Sequence, residues 1–320
     1  MSTKPFDYAA KLDYAGKTAA IIGGGVIGAS WAALFAANGL NVVISDPDPD
    51  IETKARTRIA AAMPALVALG HAPFDIGERI RFVDDHAYAV ADAFLVQEAG
   101  PERPGFKQGL WEVVEGAAPA DALLCSSSAG IPASLQQIEM RDHTRLLIAH
   151  PINPPHRMPL VEVVPTPTTD PEVTARAVAF YDGLGKVTRV IRKEVPGFVA
   201  NRLQAAIFRE CVALVRGGVV TIDELDDIVT TSLGVRLATS GPFLSLHLSG
   251  GDGGLPHSIE QLGPPMERLW ESLDAADFDP VTKELIARQA EQSYGAWPIA
   301  QLAQTREARE IAVLNALAAA

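Results

Sequence analysis

The sequence predicts an α/β protein in which an N-terminal, doubly wound parallel sheet is followed by an all-helical C-terminal domain. Two observations support this fold class. Over the first two-thirds of the 320 residues, short apolar runs typical of buried strands alternate with helical runs, and the connections between them are short. After about Glu194 the strand pattern stops, and helical periodicity continues instead.

Eight segments have the composition of strands. The first, Thr18–Ile22, is continuously apolar, as expected for a strand buried on both faces of a parallel sheet. The glycine-rich segment Gly23–Gly28 ends it, and Ala29–Asn38 is predicted to be a helix that Gly39 stops. The other predicted strands are Asn41–Ser45, Ile80–Val83, Ala93–Gln97, Ala122–Cys125, Leu146–Ala149, Leu160–Val164 and Val187–Ile191.

The C-terminal part has three helical signals. Apolar residues from Phe198 to Arg216 recur close to the helical period. A helix starts at Thr221-Ile-Asp-Glu224, which has the pattern of a capping box, and Pro280–Ala320 is helical in composition. We therefore predict a first domain over residues 1–193, with 1–16 as an N-terminal extension, and a second over residues 194–320.

Composition excludes several classes of protein. With 27 Lys and Arg against 39 Asp and Glu, the net charge of −12 disfavours a nucleic-acid partner. The two cysteines are too few for a disulfide scaffold or a cysteine-rich zinc site, and they suit a reducing compartment. The N-terminus lacks a secretory pattern, and no apolar stretch reaches the roughly 20 residues of a membrane span. We expect a cytoplasmic protein without a membrane partner.

The segment after the first strand matches the GxGxxG pattern of dinucleotide-binding domains. It reads Gly23-Gly-Gly25-Val26-Ile27-Gly28, follows an apolar strand and opens a helix, which is the context the motif needs. Gly23 allows the tight turn, Gly25 lets a diphosphate approach the backbone, and Gly28 lets helix and strand pack closely. The helix N-terminus then adds amide donors and partial positive charge. The alternative is a plain strand–helix turn.

Asp46 indicates which dinucleotide is bound. It ends the second predicted strand, 18 residues after Gly28, where a carboxylate accepts hydrogen bonds from ribose hydroxyls. No Lys or Arg that could pair with a 2′-phosphate follows before Lys54, so the sequence favours NAD over NADP. A calcium loop starting at Asp46 is excluded, because Ile51 and Thr57 occupy its glycine and glutamate positions. No metal site is predicted.

A histidine and a glutamate are the candidate catalytic pair. A predicted strand ends at His150, a turn with four prolines follows, and the next strand carries Glu162. Prolines restrict the backbone, and a general base needs such fixed placement with a carboxylate behind its imidazole. For His71, His86 and His143 we keep the interpretation of ordinary surface or core residues.

With these motifs, the chain resembles the 3-hydroxyacyl-CoA dehydrogenase superfamily, and most closely its branch of lambda-crystallin (L-gulonate 3-dehydrogenase) and L-carnitine dehydrogenase. The segments that carry the resemblance are the His-Pro-x-Asn-Pro-Pro turn from His150, the strand Pro159–Pro165 and the segment Lys193–Leu203. The resemblance extends from about Lys17 to Leu269. It implies a Rossmann-type NAD-binding domain, and a helical domain that forms much of a homodimer interface.

The resemblance also implies roles for individual residues. His150 is the general base, paired with Glu162, and Asn153 and Asn201 line the cleft for substrate and nicotinamide. Glu102 and Lys107 fall on positions that contact the cofactor, with a solvated helix start as the alternative. The family places a serine near the substrate oxygen, but here Ala129 stands at that position. Either Ser128 takes the role after a small shift, or the hydroxyl contact is missing.

We therefore expect NAD-dependent oxidation of a 3-hydroxyl group on a small carboxylate-bearing substrate, or the reverse reduction. One alternative is the same chemistry on a short-chain acyl-CoA. Against it, Ile59–Glu78 contains no Lys or Arg to neutralise coenzyme A, whereas Arg157 beside the turn could hold a small carboxylate. A second alternative is a catalytically silent, crystallin-like NAD-binding protein. A third is a phosphogluconate-type dehydrogenase, which relies on a catalytic lysine after a helix start. Here Asn201 occupies the helix where such a lysine would be sought.

Overall fold

The computed structural model describes residues 14–273 and 277–319. The predicted N-terminal extension therefore lies outside the described residues except for 14–16. Eight strands form one sheet, in the order β3-β2-β1-β4-β5-β6-β7-β8. Their bounds are Thr18–Ile22 (β1), Asn41–Ser45 (β2), Ile80–Val83 (β3), Leu95–Glu98 (β4), Leu123–Ser126 (β5), Leu146–Pro151 (β6), Leu160–Pro165 (β7) and Val187–Val190 (β8).

All eight predicted strands are present, and their ends differ from the prediction by two residues at most. One pairing departs from a purely parallel sheet: β7 runs antiparallel to β6, while the other six pairings are parallel. Only a short turn, residues 152–159, connects β6 to β7. A parallel neighbour needs a crossover of a dozen residues or more, so this connection favours an antiparallel pair.

Helices cover both faces of the sheet. The helices of this part of the chain are Val26–Ala37 (α1), Ile51–Ala68 (α2), Ile76–Arg79 (α3), His86–Val90 (α4), Pro104–Ala117 (α5), Ala133–Gln136 (α6) and Pro171–Gly183 (α7). Alternate residues of β1 enter two different cores: Ala19 and Ile21 pack with α1, α2 and α7, whereas Ala20 and Ile22 pack with α4, α5 and α6. This alternation is the strand periodicity of two, and the two cores explain why the strands are apolar throughout.

After β8 the described residues are helical, as predicted. The helices are Ala200–Arg216 (α8), Ile222–Thr231 (α9), Leu233–Thr239 (α10), Pro242–Ser249 (α11), Gly254–Ser272 (α12), Pro280–Tyr294 (α13) and Ile299–Ala319 (α14). The predicted capping box between Thr221 and Glu224 is present at the start of α9. None of the helices in the described part of the chain is long and apolar enough to cross a membrane.

The chain divides into two compact units. One comprises the residues up to Asn201 together with the end of α14 from Leu314, and the other is Arg202–Val313. The division therefore falls within the first turn of α8, a few residues after the sequence-based boundary at 193. The glycine-rich loop after β1, Asp46, His150, Glu162 and Asn201 all belong to the first unit.

Candidate active site

The glycine loop between β1 and α1 has the geometry that its sequence pattern predicts. Gly23 has a φ of +97°, and a Cβ at this position would lie 2.7 Å from the Ala99 carbonyl oxygen. A Cβ on Gly28 would lie 1.8 Å from the Gly23 carbonyl oxygen, so helix and loop approach too closely for any side chain there. At Gly25 the space around a Cβ is open. Between these glycines, Val26 is exposed, whereas Ile27 packs against the core.

Asp46 follows β2 and holds the glycine loop. One carboxylate oxygen accepts from the Gly24 amide at 2.8 Å, and the other from the Asp48 amide at 2.9 Å. Beside it lies a cavity of about 310 Å³, and its lining includes Gly23, Gly25, Asp46, His86, Arg103 and Phe106. This cavity at the carboxyl ends of β1 and β4 is where a dinucleotide binds in doubly wound sheets. Sequence reasoning assigned no role to His86, Arg103 or Phe106, since single residues distant in the chain carry no local motif.

The β6–β7 hairpin brings His150 and Glu162 together. The two residues are direct partners in the antiparallel register, and residues so paired place their side chains on the same face, close enough to touch. The His150 Nδ1 and Glu162 Oε2 atoms are 2.8 Å apart, and both residues are buried. The predicted pair is therefore in contact.

Backbone amides complete the surroundings of Glu162. Its Oε1 accepts from the amides of Val199 and Ala200 at 2.9 and 3.0 Å. Burial alone would raise the pKa of this carboxyl, but the hydrogen bonds from His150, Ala200 and Val199 outweigh it and hold the pKa below its usual value. Glu162 is thus a carboxylate, and His150 Nδ1 is the donor in their hydrogen bond. In the neutral ring, the second imidazole nitrogen, Nε2, then carries the lone pair.

Two asparagines were predicted to lie at the same cleft. Asn201 Nδ2 is 3.5 Å from His150 Nε2 and 3.4 Å from the Ala129 carbonyl oxygen. Asn153 is exposed in the β6–β7 turn, three residues after His150. The structure therefore brings Asn201 to the imidazole, at the long limit of a hydrogen bond, and leaves Asn153 at the surface of the turn.

Glu102, Lys107 and Ser128 form a connected group at the ends of β4 and β5. Glu102 Oε1 accepts from the Ser128 hydroxyl and from the Gly130 amide, the latter at 3.0 Å. Lys107 is 1% exposed and donates to Glu98 at 2.6 Å, so the alternative of a solvated helix start is wrong for this residue. Its ammonium is 3.4 Å from Glu102. Burial would raise the pKa of Glu102, but the Ser128 hydroxyl, Lys107 and backbone amides hold it below its usual value.

Further polar contacts, which sequence reasoning missed, hold the turn after His150. The buried Lys186 ammonium donates to the carbonyl oxygens of Pro155 and Met158. The Ser30 hydroxyl of α1 accepts from the His156 amide at 2.8 Å and lies 2.8 Å from its Nδ1. Arg157, the candidate for holding a substrate carboxylate, is 3% exposed. Within the described ranges, no group of three His, Cys, Asp or Glu side chains is arranged to hold a metal ion.

Comparison with protein families agrees with this architecture. Residues 18–195 match the family description "3-hydroxyacyl-CoA dehydrogenase, NAD binding domain", and residues 197–282 match "3-hydroxyacyl-CoA dehydrogenase, C-terminal domain". The chain belongs to the 3-hydroxyacyl-CoA dehydrogenase family. Its first domain is accordingly an NAD-binding domain, and the chain is an NAD-dependent dehydrogenase of this family.

Curated relatives match this chain over most of its length. An L-carnitine dehydrogenase of Streptomyces griseus is 39% identical over 297 residues, which cover 93% of this chain and 89% of that protein. A second L-carnitine dehydrogenase, of Pseudomonas aeruginosa, is 39% identical and covers 94% of both chains. A 3-hydroxyacyl-CoA dehydrogenase of Gibberella moniliformis is 40% identical, covering 95% of this chain and 94% of its own.

A solved structure has the same fold over almost all of this family member. It is the crystal structure of 5-formyl-3-hydroxy-2-methylpyridine 4-carboxylic acid 5-dehydrogenase, described as an NAD⁺-dependent dismutase. The TM-score is 0.80 at 29% identity, over 94% of this chain and 98% of that chain.

Proposed function

We propose that this dehydrogenase oxidises the 3-hydroxyl group of a small, free hydroxy acid, or reduces the corresponding ketone, with His150 as general base and acid. The observation that carries the proposal is the hydrogen bond between His150 Nδ1 and Glu162 Oε2, 2.8 Å long and buried. It fixes the imidazole tautomer and leaves Nε2 to exchange a proton with a substrate hydroxyl. A purely structural, catalytically silent protein would not require this pair.

The chemical step divides between the protein and NAD. When bound, NAD would supply the hydride acceptor for the carbon that carries the hydroxyl group. His150 Nε2 takes the hydroxyl proton, and Glu162 orients the ring and stabilises the imidazolium that forms. Asn201, whose amide nitrogen is 3.5 Å from Nε2, is in reach of the same substrate oxygen. Glu162 acts through His150 and is a positioning residue.

The residues around the glycine loop fit NAD. The loop leaves open space at Gly25, where a diphosphate would meet the backbone amides at the start of α1. We propose that Gly23, Gly25, Val26, Ile27 and Gly28 provide this surface and that Asp46 accepts the ribose hydroxyls. In that arrangement Glu102 and Lys107 hold the segments after β4 and β5 next to the nicotinamide end.

A free acid fits the charges of this chain better than a coenzyme A ester. Two of the cations before the Lys- and Arg-free segment Ile59–Glu78 are paired with carboxylates: Lys54 with Asp48 at 2.7 Å, and Arg56 with Glu52 at 2.8 Å. L-Carnitine dehydrogenases at 37–39% identity favour a carnitine-like hydroxy acid as first candidate. The Gibberella relative, at 40% identity, is the specific observation that favours the second candidate, a short-chain acyl-CoA.

A substrate panel tests both candidates. NADH formation is followed with carnitine, gulonate, 3-hydroxybutyrate and 3-hydroxybutyryl-CoA, and we expect a free acid to have the highest kcat/KM. A clear preference for the thioester over every free acid would replace the first candidate by the second.

The catalytic assignment is tested in the same assay. His150→Ala is expected to lower kcat by about 10²–10⁴ with little change in NAD binding, because general-base catalysis has that size. Near-normal turnover of this variant would contradict the assignment of His150.

The proposal includes a homodimer located in the cytoplasm. In Arg202–Val313 many large apolar side chains are exposed, among them Phe243 at 73%, Leu248 at 67% and Trp270 at 62%. Monomers rarely expose so much apolar surface, so we expect a second copy of the chain to bury it. Light scattering checks this, and a monomer at micromolar concentration would contradict it. Both cysteines are free, as suits the reducing cytoplasm.

A further inference from the structure

A short turn between β8 and α8, Gly197–Ala200, contacts both His150 and Glu162. Gly197 and Phe198 both have positive φ angles, +73° and +49°. Glycine adopts such angles freely, whereas a residue with a side chain does so at a steric cost. Phe198 is nonetheless fully buried, and its ring centroid lies 5.4 Å from that of His150. The packing around the imidazole therefore retains an unfavourable backbone conformation.

This turn determines which backbone groups face Glu162. Immediately after Phe198, the amides of Val199 and Ala200 both donate to Glu162 Oε1, while Oε2 is left for His150. Each carboxylate oxygen thus has its own donors. Two ionisable residues are register partners of Glu162: His150 on β6, which shares its hydrogen bond, and Arg189 on β8, whose side chain donates to the Thr188 carbonyl oxygen. The other hydrogen-bond partners of Glu162 are uncharged amides.

We propose that the turn Gly197–Ala200 is a positioning element for catalysis, in which Phe198 supports the imidazole and the Val199 and Ala200 amides fix the Glu162 carboxylate. This inference rests on the proposed role of His150 and assigns residues that the reaction itself does not involve. Without the two amides, the carboxylate would be free to rotate about its terminal torsion, and its second oxygen would lose its alignment with Nδ1. The amides therefore act on His150 through Glu162.

Replacing Ala200 by proline removes one of these donors at a helix position that tolerates proline. Ala200 is the first residue of α8, where proline is favoured because its φ suits the helix. The chain already begins four of its described helices in this way, at Pro104, Pro171, Pro242 and Pro280. Ala200→Ser is the matched control, since it changes the same residue and keeps its N–H group.

For Ala200→Pro we expect kcat to fall about 10–100-fold, the size expected for loss of one hydrogen bond to a charged group. The KM for NAD should stay within about twofold of the wild-type value. With one amide removed, the pKa of Glu162 rises, so the acid-side loss of kcat/KM moves to higher pH. Ala200→Ser keeps the N–H group and should retain a higher kcat than Ala200→Pro.

Phe198→Leu tests the aromatic contact separately. It also tests the positioning role of the turn Gly197–Ala200 if Ala200→Pro does not fold. It keeps both amides, and we expect kcat to fall at least about fivefold while NADH binding, followed by fluorescence, is retained. Wild-type kinetics in Phe198→Leu, and in any folded Ala200→Pro, would overturn the inference provided that His150→Ala is inactive. If His150→Ala itself retains turnover, the proposed function fails instead.

Discussion

Replacing Glu162 by glutamine separates the electrostatic role of this side chain from its structural one. The carboxamide oxygen can still accept from the Val199 and Ala200 amides, which lie 2.9 and 3.0 Å from Glu162 Oε1. The reverse orientation is disfavoured, because it would direct an NH₂ group at two N–H donors. Glutamine therefore presents NH₂ to His150 Nδ1, where the wild type presents a carboxylate oxygen at 2.8 Å.

This exchange inverts the imidazole tautomer. Facing a donor, Nδ1 becomes the acceptor and the ring proton moves to Nε2, so that Nε2 can no longer take the substrate proton. The carboxylate that stabilises the imidazolium is also lost. We expect kcat for Glu162→Gln to fall by about 10²–10⁴, the usual contribution of a general base. The free energy of unfolding should fall by only about 1.5–3 kcal/mol, the value of one hydrogen bond to a charged group.

Glu162→Ala is the matched comparison. It should lose a similar factor in kcat, but it also leaves two amides without their acceptor, at about 1–3 kcal/mol for each. Steady-state NADH formation and urea unfolding of the two variants measure these quantities. If Glu162→Gln keeps kcat within tenfold of the wild type, the hydrogen bond to His150 does not serve catalysis and the reasoning is wrong.

Two further predictions concern the cofactor and acid stability. Because the Asp46 carboxylate would repel the 2′-phosphate of NADP, the wild type should prefer NAD. Asp46→Asn should lower the ratio of kcat/KM for NAD to kcat/KM for NADP. Equal use of the two cofactors by the wild type would contradict this prediction. Burial lowers the pKa of His71 and His156 to about 4 from 6.5, so the unfolded chain binds more protons between these values and stability falls with falling pH. Between pH 7 and pH 5, each of the two histidines should lower the free energy of unfolding by about 2 kcal/mol, as measured by urea titration. His156→Gln should make this decrease in stability smaller.

Most of the sheet could be predicted from the sequence because its strands are buried on both faces. Ile21 and Ile22 point into different cores, so both positions are apolar and the strand appears as an uninterrupted run. The direction of β7 is less evident in such runs, since an apolar strand has the same composition in either direction. The length of the turn before it is what determines the antiparallel pairing with β6.

The candidate site was predictable where a residue belongs to a local pattern. His150 and Glu162 could be paired because one hairpin carries both of them. Lys107 shows the limit: it follows the start of α5 like a solvated lysine, and its burial depends on Glu98, which belongs to β4. The Val199 and Ala200 amides could not be predicted at all, because backbone donors have no residue-type signature.

The arrangement of strand ends explains why sequence motifs indicate the reaction more clearly than the substrate. β1, β4, β5 and β6 are parallel, so the residues at their carboxyl ends meet at the same edge of the sheet. The glycine loop, the Glu102 segment and Ser128 follow β1, β4 and β5, and His150 is the last residue but one of β6. Side-chain contacts connect neighbouring strand ends, as in the hydrogen bond from Ser126 to Glu98 at 2.6 Å. The backbone topology therefore brings the proposed cofactor-binding loop and the proposed base to one edge of the sheet. Substrate choice depends on side chains that this topology does not specify, which is why the free acid and the thioester must be separated by kinetics.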